Sequence, residues 1–510
     1  MLRSTARAAL TCLVVFAAFH ARADEDLNAV PVPSTAPMDY GPLVALDESV
    51  EAALQKNFAI RLQRYPIIQA QAQEEIEKAA YLPTFDFQAT KNVQQQPASS
   101  SSLNDSSIAG VGPYTKVEDA NAKIVQNVMT GGTVTAGYDQ QRTQTNSAFA
   151  TLNPSYDGTA SITIAQPLLQ GAGVDYYRSI LSAAALGTKI ARYNLKSSVL
   201  TVIYNVETAY FNLVYAREQY KVAQDTLKLA QQLYDENSQK RKTGVVTDLD
   251  VLQAKVGVAT AETTLIQDRQ FVQNSEDALQ QYMGVQQFNN NFGSVAFPEV
   301  HNTSFTFERS YKLARDNGPN LAVVNATIEQ FKLAALRAKR NNLPQLNVQG
   351  GVGYTSVTNS DYSAVTKVWN GDGYNWTAGV TLSVPWGMRA NKALYRQAQA
   401  NIESEQVTFD QLDQQLVVQV RAAVRAVGTN TETLKAATQQ AELANQQYGL
   451  QKAKFDAGLA TSYDVLQAQN QLETSRVAEL QAQVNLRIAV ADVHFLEGTS
   501  LEHYKVDVPQ

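Results

Sequence analysis

The side chains able to do chemistry are few and dispersed. Four histidines occur, and the three beyond the N-terminal region, His301, His494 and His503, have no spacing that would gather two metal ligands. Neither a His-Glu-x-x-His pair nor a Gly-x-x-x-x-Gly-Lys phosphate loop is present. Gly350-Gly351-Val352-Gly353 lacks the spacing and the strand-to-helix context of a dinucleotide fingerprint and reads as a strand of small residues. The only cysteine, Cys12, lies near the start of an apolar run from Ala8 to Phe19, behind Arg3 and Arg7 and ahead of Ala21-Arg22-Ala23. That pattern predicts a secretory signal peptide over 1–23, since the run is too short to span a bilayer of about 30 Å and a lipid-anchored chain needs its cysteine after the run. Beyond it there is no thiol for a disulfide, a metal site or a nucleophile. Residues 1–23 carry three arginines and no acids, so their removal takes the formal charge from −6 to −9 (−6 − 3), which argues against a nucleic-acid partner. Neither an enzyme nor a cofactor is expected.

What the spacing does offer is a pair of matched turns. Gly244-Val245-Val246-Thr247-Asp248-Leu249-Asp250-Val251-Leu252-Gln253-Ala254 aligns with Gly458-Leu459-Ala460-Thr461-Ser462-Tyr463-Asp464-Val465-Leu466-Gln467-Ala468, at an offset of 458 − 244 = 214. Tyr81-Leu82-Pro83 is likewise echoed by Asn342-Leu343-Pro344, and Thr159 through Pro167 by Thr377 through Pro385. The chain is therefore a duplicated unit. Gly244 and Gly458 suit the left-handed stop of a helix, and Thr247 and Thr461 suit the N-caps of the helices that follow. Asp250 and Asp464 fall in the first turn of those helices, where an acid favours the helix dipole.

The elements that hold these turns are coiled coils. Ahead of Gly244, alternating steps of four and three residues pick out Leu195, Val199, Val202, Val206, Ala209, Leu213, Ala216, Tyr220, Ala223, Leu227, Ala230 and Tyr234. The same positions displaced by 214 break only at Asp413 and Asn430. Helices are predicted over 175–243 and 389–457, each about 100 Å long, and near 47–80, 247–284, 308–342 and 461–496, each about half as long. Between them the period changes to two. Phe85, Phe87 and Ala89 alternate with Asp86, Gln88 and Thr90, and Ala378, Val380 and Leu382 with Thr377, Gly379 and Thr381, as strands with one wet and one apolar face do. Polar segments at Pro97–Ser107 and Thr355–Tyr374 read as loops. Ile124–Gln140, broken at Thr130-Gly131-Gly132, leaves the strand count open at four or six.

Taken together, the two-fold repeat, the strand pairs closed by Pro167 and Pro385, and the two Gly-x-x-Thr turns in register within coiled coils resemble the TolC, or outer-membrane efflux protein, family over the whole chain after residue 23. The resemblance implies an α+β fold: an outer-membrane β-barrel completed by a homotrimer and continued by a long periplasmic α-helical coiled-coil barrel. Its organisation would be a first repeat at 24–284 with strands at about 81–167, an equatorial connector at 285–307, a second repeat at 308–497 with strands at about 343–385, and a tail at 498–510. With two strands from each half, three copies would give about twelve. The implied function is a passive duct for efflux or secretion, set in outer-membrane lipid and docked to a periplasmic adaptor protein and an inner-membrane pump. Gly244, Val245, Thr247, Gly458, Leu459 and Thr461 would form the adaptor-docking tip, and Asp250, Asp464 and Gln467 the periplasmic gate. Gln467 and Ala460 stand where relatives often carry an acid and an arginine, which implies weaker latching. The competing class is a non-channel coiled-coil envelope protein, a spacer or an adaptor.

Overall fold

The computed structural model describes residues 41–97, 112–285, 292–298, 304–370 and 373–506. The expected signal peptide, most of the Pro97–Ser107 loop and His301 lie outside them. The first half runs α1 (Leu46–Lys56), α2 (Phe58–Ala79), β1 (Thr84–Gln95), β2 (Tyr114–Asn127), β3 (Thr133–Thr145), β4 (Ser155–Pro167), α3 (Val174–Lys242) and α4 (Asp248–Met283). The second runs α5 (Phe307–Asn317), α6 (Pro319–Asn341), β5 (Gln345–Thr358), α7 (Asp361–Lys367), β6 (Gly373–Ser383), α8 (Arg389–Asp456), α9 (Ser462–Glu497) and α10 (Ser500–His503). Contacts divide the chain into two units. One comprises the chain through Glu51 with Val206–Asn302 and Ala426–Ala489, and the other Ala52–Asn205, Thr303–Arg425 and the C-terminal remainder.

Heptad periodicity translates directly into burial along α3. Ten positions of the predicted stripe are buried, and the remaining two, Leu227 and Tyr234, are half-buried. Along α8 the equivalent stripe is buried only at Val420, Ala423, Ala437, Ala441 and Ala444. Its two polar breaks are occupied: Asp413 accepts from the Tyr311 hydroxyl at 2.8 Å, and Asn430 donates to the Asn485 carbonyl at 3.4 Å. Much of the rest of α8 is exposed in one chain, including Leu394, Val407, Val418, Leu443 and Leu450.

Two of the predicted half-length helices are each divided. The stretch near 47–80 breaks at Asn57, whose side chain caps α2 by accepting from the Ala59 amide at 2.8 Å. The stretch near 308–342 breaks at Gly318, followed by Pro319 in the first turn of α6, where a missing amide costs nothing.

In the first unit a buried ion pair fixes the chain that enters the connector. Arg217 donates to Glu276 at 2.6 Å and to the carbonyls of Gly293 at 2.6 Å and Phe292 at 3.1 Å. The Tyr210 hydroxyl reaches the carbonyls of Val44 and Ala296, both at 3.1 Å.

In the second unit, six antiparallel strands form one sheet in chain order, from β1 at one edge to β6 at the other. The Ile124–Gln140 stretch is a hairpin: β2 and β3 pair through Asn127↔Thr133 around a turn in which Gly131 has φ 91°. Among the described residues the first half thus supplies four strands and the second two, so of the two open counts the sheet has six. The Thr355–Tyr374 loop is also corrected. Strand β5 continues to Thr358, and α7 follows, with Ala364 buried against the sheet.

Candidate functional site

Each long helix ends where the sequence places a glycine. Gly244 and Gly458 have φ of 78° and 76°, a region that strains any residue with a Cβ. Open space surrounds both, since a Cβ at either would meet nothing within 4 Å. Val245 and Leu459 follow, 68% and 80% exposed.

The threonines and aspartates next along the chain act as reciprocal caps. The Thr247 amide and hydroxyl donate to Asp250 Oδ2 at 2.9 and 2.6 Å, and the Asp250 amide returns a bond to the Thr247 hydroxyl at 3.3 Å. Thr461 and Asp464 repeat this at 2.9, 2.7 and 3.3 Å. Each pair satisfies helix-end amides that would otherwise lack partners. Bonds from the Thr461 hydroxyl, and then from its amide, hold the Asp464 carboxyl below the usual carboxylate range, so it stays ionised at neutral pH. Gln467, one turn further on, lines an open groove with Asp464, Gln447, Gln451 and Gln471.

The two turns stand side by side through residues that sequence reasoning missed. Asn237 donates to the Ser462 hydroxyl at 2.6 Å, and Lys452 reaches Glu236 at 2.9 Å. Lys240 lies 3.8 Å from the Phe455 ring centroid and 3.8 Å from Asp456. Beneath them Leu233, Ala254, Phe455 and Val465 form a small buried cluster. The heptads before each turn show that the hairpins pack. The partners themselves are more than two hundred residues apart and carry no local signal.

The sheet in the other unit is divided by its pleat into two chemistries. Register puts Phe85, Ile124, Ala136, Ile162, Val352 and Trp376 in one row across all six strands. Phe87, Ala122, Tyr138, Ala160 and Tyr354 lie in the row above. The opposite face presents Thr84, Gln88, Asn121, Thr135, Thr163, Asn347 and Thr381, with Asp86, Asp119, Asp139 and Asp157 against Lys123 alone. A sheet with one face apolar over its helix-adjoining part and one hydroxyl-rich, acidic face suits a boundary between hydrocarbon and water.

The sequence profile of the outer membrane efflux protein family matches residues 132–285 and 310–499. The chain belongs to that family. As an outer membrane efflux protein it resides in the outer membrane of a Gram-negative cell and extends into the periplasm. It is 22% identical to the outer membrane protein TolC of Salmonella enteritidis over 356 residues, 67% of this chain and 70% of that protein. In fold it is similar to the Campylobacter jejuni CmeC outer membrane channel, at TM-score 0.65 and 18% identity over 89% of this chain and 85% of that one. The open state of the Neisseria gonorrhoeae MtrE outer membrane channel gives TM-score 0.61 and 17% identity over 89% and 88%. Among the described residues no helix is long and apolar enough to cross a membrane, and no three His, Cys, Asp or Glu side chains cluster as a metal site.

Proposed function

We propose that three copies of this chain join their sheets edge to edge into one outer-membrane barrel and serve as a passive exit duct for a tripartite efflux or type I secretion system. The observation that carries this reading is the six-stranded sheet itself. Toward the strand ends that adjoin the helices its apolar and polar faces are segregated, yet both edges, β1 and β6, are unpaired among the described residues. An open edge cannot persist in hydrocarbon, so the sheet must close on something. An even strand count makes closure by copies natural, because β6 of one copy meets β1 of the next antiparallel. The exposed apolar residues along α8 ask for neighbours in the same way.

Three is the number implied by the family. Six strands per chain, rather than four, make the barrel eighteen-stranded, in the size range where β-barrels hold a water-filled lumen. At about 4.8 Å between strands and a tilt of about 40°, its mean diameter is about 36 Å, against about 24 Å for twelve strands. The two exposed turns would dock the adaptor, and Asp250, Asp464 and Gln467 would line the periplasmic gate.

Native mass spectrometry and planar-bilayer recording of purified protein test this together. The expected result is a trimer forming discrete channels with a cation preference. A folded monomer that forms no channels would instead favour the spacer reading.

A further inference from the structure

The apolar face of the sheet is not apolar over its whole height. Toward the strand ends remote from the helices, Lys91 of β1, Lys116 of β2 and Arg142 of β3 converge on Glu118 of β2. The contacts are 3.2 Å from Lys91, 2.8 Å from Lys116 and 2.5 Å from Arg142, whose Nε also meets the Tyr156 hydroxyl at 3.1 Å. Three cations around one carboxylate leave the cluster at +2 (3 − 1), and Lys91 is 60% exposed. Register places all four residues on the same face as Phe85, Phe87 and Ile124, opposite the acidic face.

Strand stagger gives their height. The row through Thr84, at the foot of β1, passes Val125, Thr135, Thr163 and Gly351 and reaches Thr377, six residues from the foot of β6 at Ser383 (383 − 377). Four of the six strand feet adjoin helices and so share one level. A stagger of six residues over five strand spacings, at about 3.3 Å and 4.8 Å each, is then a tilt of about 40°, within the range of membrane barrels.

On that geometry the apolar rows extend from the feet to about 18 Å. Trp376, Tyr354 and Tyr374 follow at about 18–23 Å, forming an aromatic upper margin, and Lys91, Glu118, Arg142 and Lys116 stand at about 18–26 Å. Helix α7 rests on the same face at this level through the bond from Ser356 Oγ to the Ala364 carbonyl at 2.7 Å. The helix leaves Tyr362 exposed and the turn after it Trp369, as interfacial anchors are. The cationic cluster therefore lies on the lipid-facing side at the level of the outer-leaflet head groups.

We propose that Lys91, Lys116 and Arg142 form a binding site for the phosphate of a phosphorylated glycolipid of the outer leaflet, whose acyl chains lie on the apolar rows below. An amphiphile with an anionic head and several chains matches both parts of the surface, and guanidinium with two ammonium groups is a strong donor set for phosphate. Glu118 preorganises the three cations and limits their net charge. The site rests on the duct reading, which fixes this face toward lipid.

The test uses the full-length protein, delipidated in detergent and titrated in native mass spectrometry with bis-phosphorylated lipid A, its dephosphorylated form and phosphatidylglycerol. Lipid A is expected to bind to the trimer at least tenfold more tightly than the dephosphorylated form, and more tightly than phosphatidylglycerol. The triple variant Lys91→Gln, Lys116→Gln, Arg142→Gln should lose that preference, whereas Glu118→Gln, which raises the cluster to +3, should strengthen lipid A binding several-fold. Equal retention of lipid A and its dephosphorylated form by wild-type trimers overturns the site while leaving the duct standing, as does a Glu118→Gln variant with unchanged or weaker binding. Phosphatidylglycerol bound as tightly as lipid A would assign the site to a general phospholipid and reject the glycolipid. A wild-type protein that is monomeric would instead remove the duct reading itself. Should the triple variant not fold, the wild-type lipids and Glu118→Gln still decide.

Discussion

Asp464 carries two separable properties, a charge and a capping acceptor, and three variants separate them. Asp464→Asn keeps an oxygen that accepts from the Thr461 amide and hydroxyl but removes the charge. Asp464→Ala removes both, and Thr461→Ala keeps the charge while breaking the cap. In a trimer each Asp464 substitution deletes three charges from one ring. A monovalent cation about 8 Å from three carboxylates, inside one Debye length at 0.1 M salt, is enriched about three- to fourteenfold, the lower value including screening. Permeability ratios from reversal potentials in a salt gradient should therefore fall several-fold in both Asp464 variants and stay at the wild-type value in Thr461→Ala. They should not reach unity, because Asp86, Asp119, Asp139 and Asp157 remain on the acidic face of the sheet, which the proposed duct turns toward its lumen. Thr461→Ala should instead lower stability by about 1 kcal/mol per protomer, read by denaturant unfolding. With Ala460 in place of an arginine partner, selectivity should change more than open probability. Identical reversal potentials for wild type and Asp464→Asn would refute the gate assignment and leave Asp464 a helix cap alone.

Leu459→Asp places a charge on the exposed tip, where the neighbouring Gly458 has open space around it. Export in cells should be lost while trimer yield from membranes is unchanged, and a loss of trimer would show that the turn serves folding only. Asp268, buried beside Gln219 with its carboxyl pushed up to about 6 by desolvation, binds a proton in the folded chain at pH values where the unfolded chain has released it. Its contribution to stability is full below about pH 4 and is lost as pH rises through 6, by about 2–3 kcal/mol per protomer. Asp268→Asn should abolish that slope in unfolding measurements between pH 4 and 7, and an unaltered slope would assign it to other groups, such as Glu473, whose carboxyl burial also raises.

What was legible in the sequence is what repeats at short range. The α3 stripe, the glycine stops and the threonine caps follow from heptad spacing and from backbone preferences confined to a few residues. The pleat also showed the two faces of the sheet, because alternation is local. The break at Gly318-Pro319 had a local signal, since proline favours a helix start, but a single helix near 308–342 passes over it. Helix α7 has too few residues to show a period, and only the sheet beneath Ala364 reveals which side is inward. The Asn237–Ser462 and Lys240–Phe455 contacts depend on two hairpins meeting, which no window of sequence contains. The cations that share a face with Phe85 and Ile124 were hidden for a related reason. Lys91, Lys116 and Arg142 belong to three strands, and only register makes them neighbours.

The central claim is that β6 of one copy pairs with β1 of the next. With feet at one level and a tilt of about 40°, Thr381 of one copy falls opposite the stretch around Gln88 of its neighbour on the lumen-facing side, close enough for a disulfide if Cα atoms lie within about 7 Å. The sole cysteine, Cys12, lies within the expected signal peptide, so introduced thiols have a clean background. Oxidation of membranes containing the double variant Gln88→Cys, Thr381→Cys, with Asp86→Cys and Thr90→Cys as alternative registers, is predicted to yield a covalent trimer on a non-reducing denaturing gel in at least one register and in no single variant. Absence of intermolecular cross-links in all three registers, from protein that still assembles and inserts, would contradict closure of the barrel through these edges.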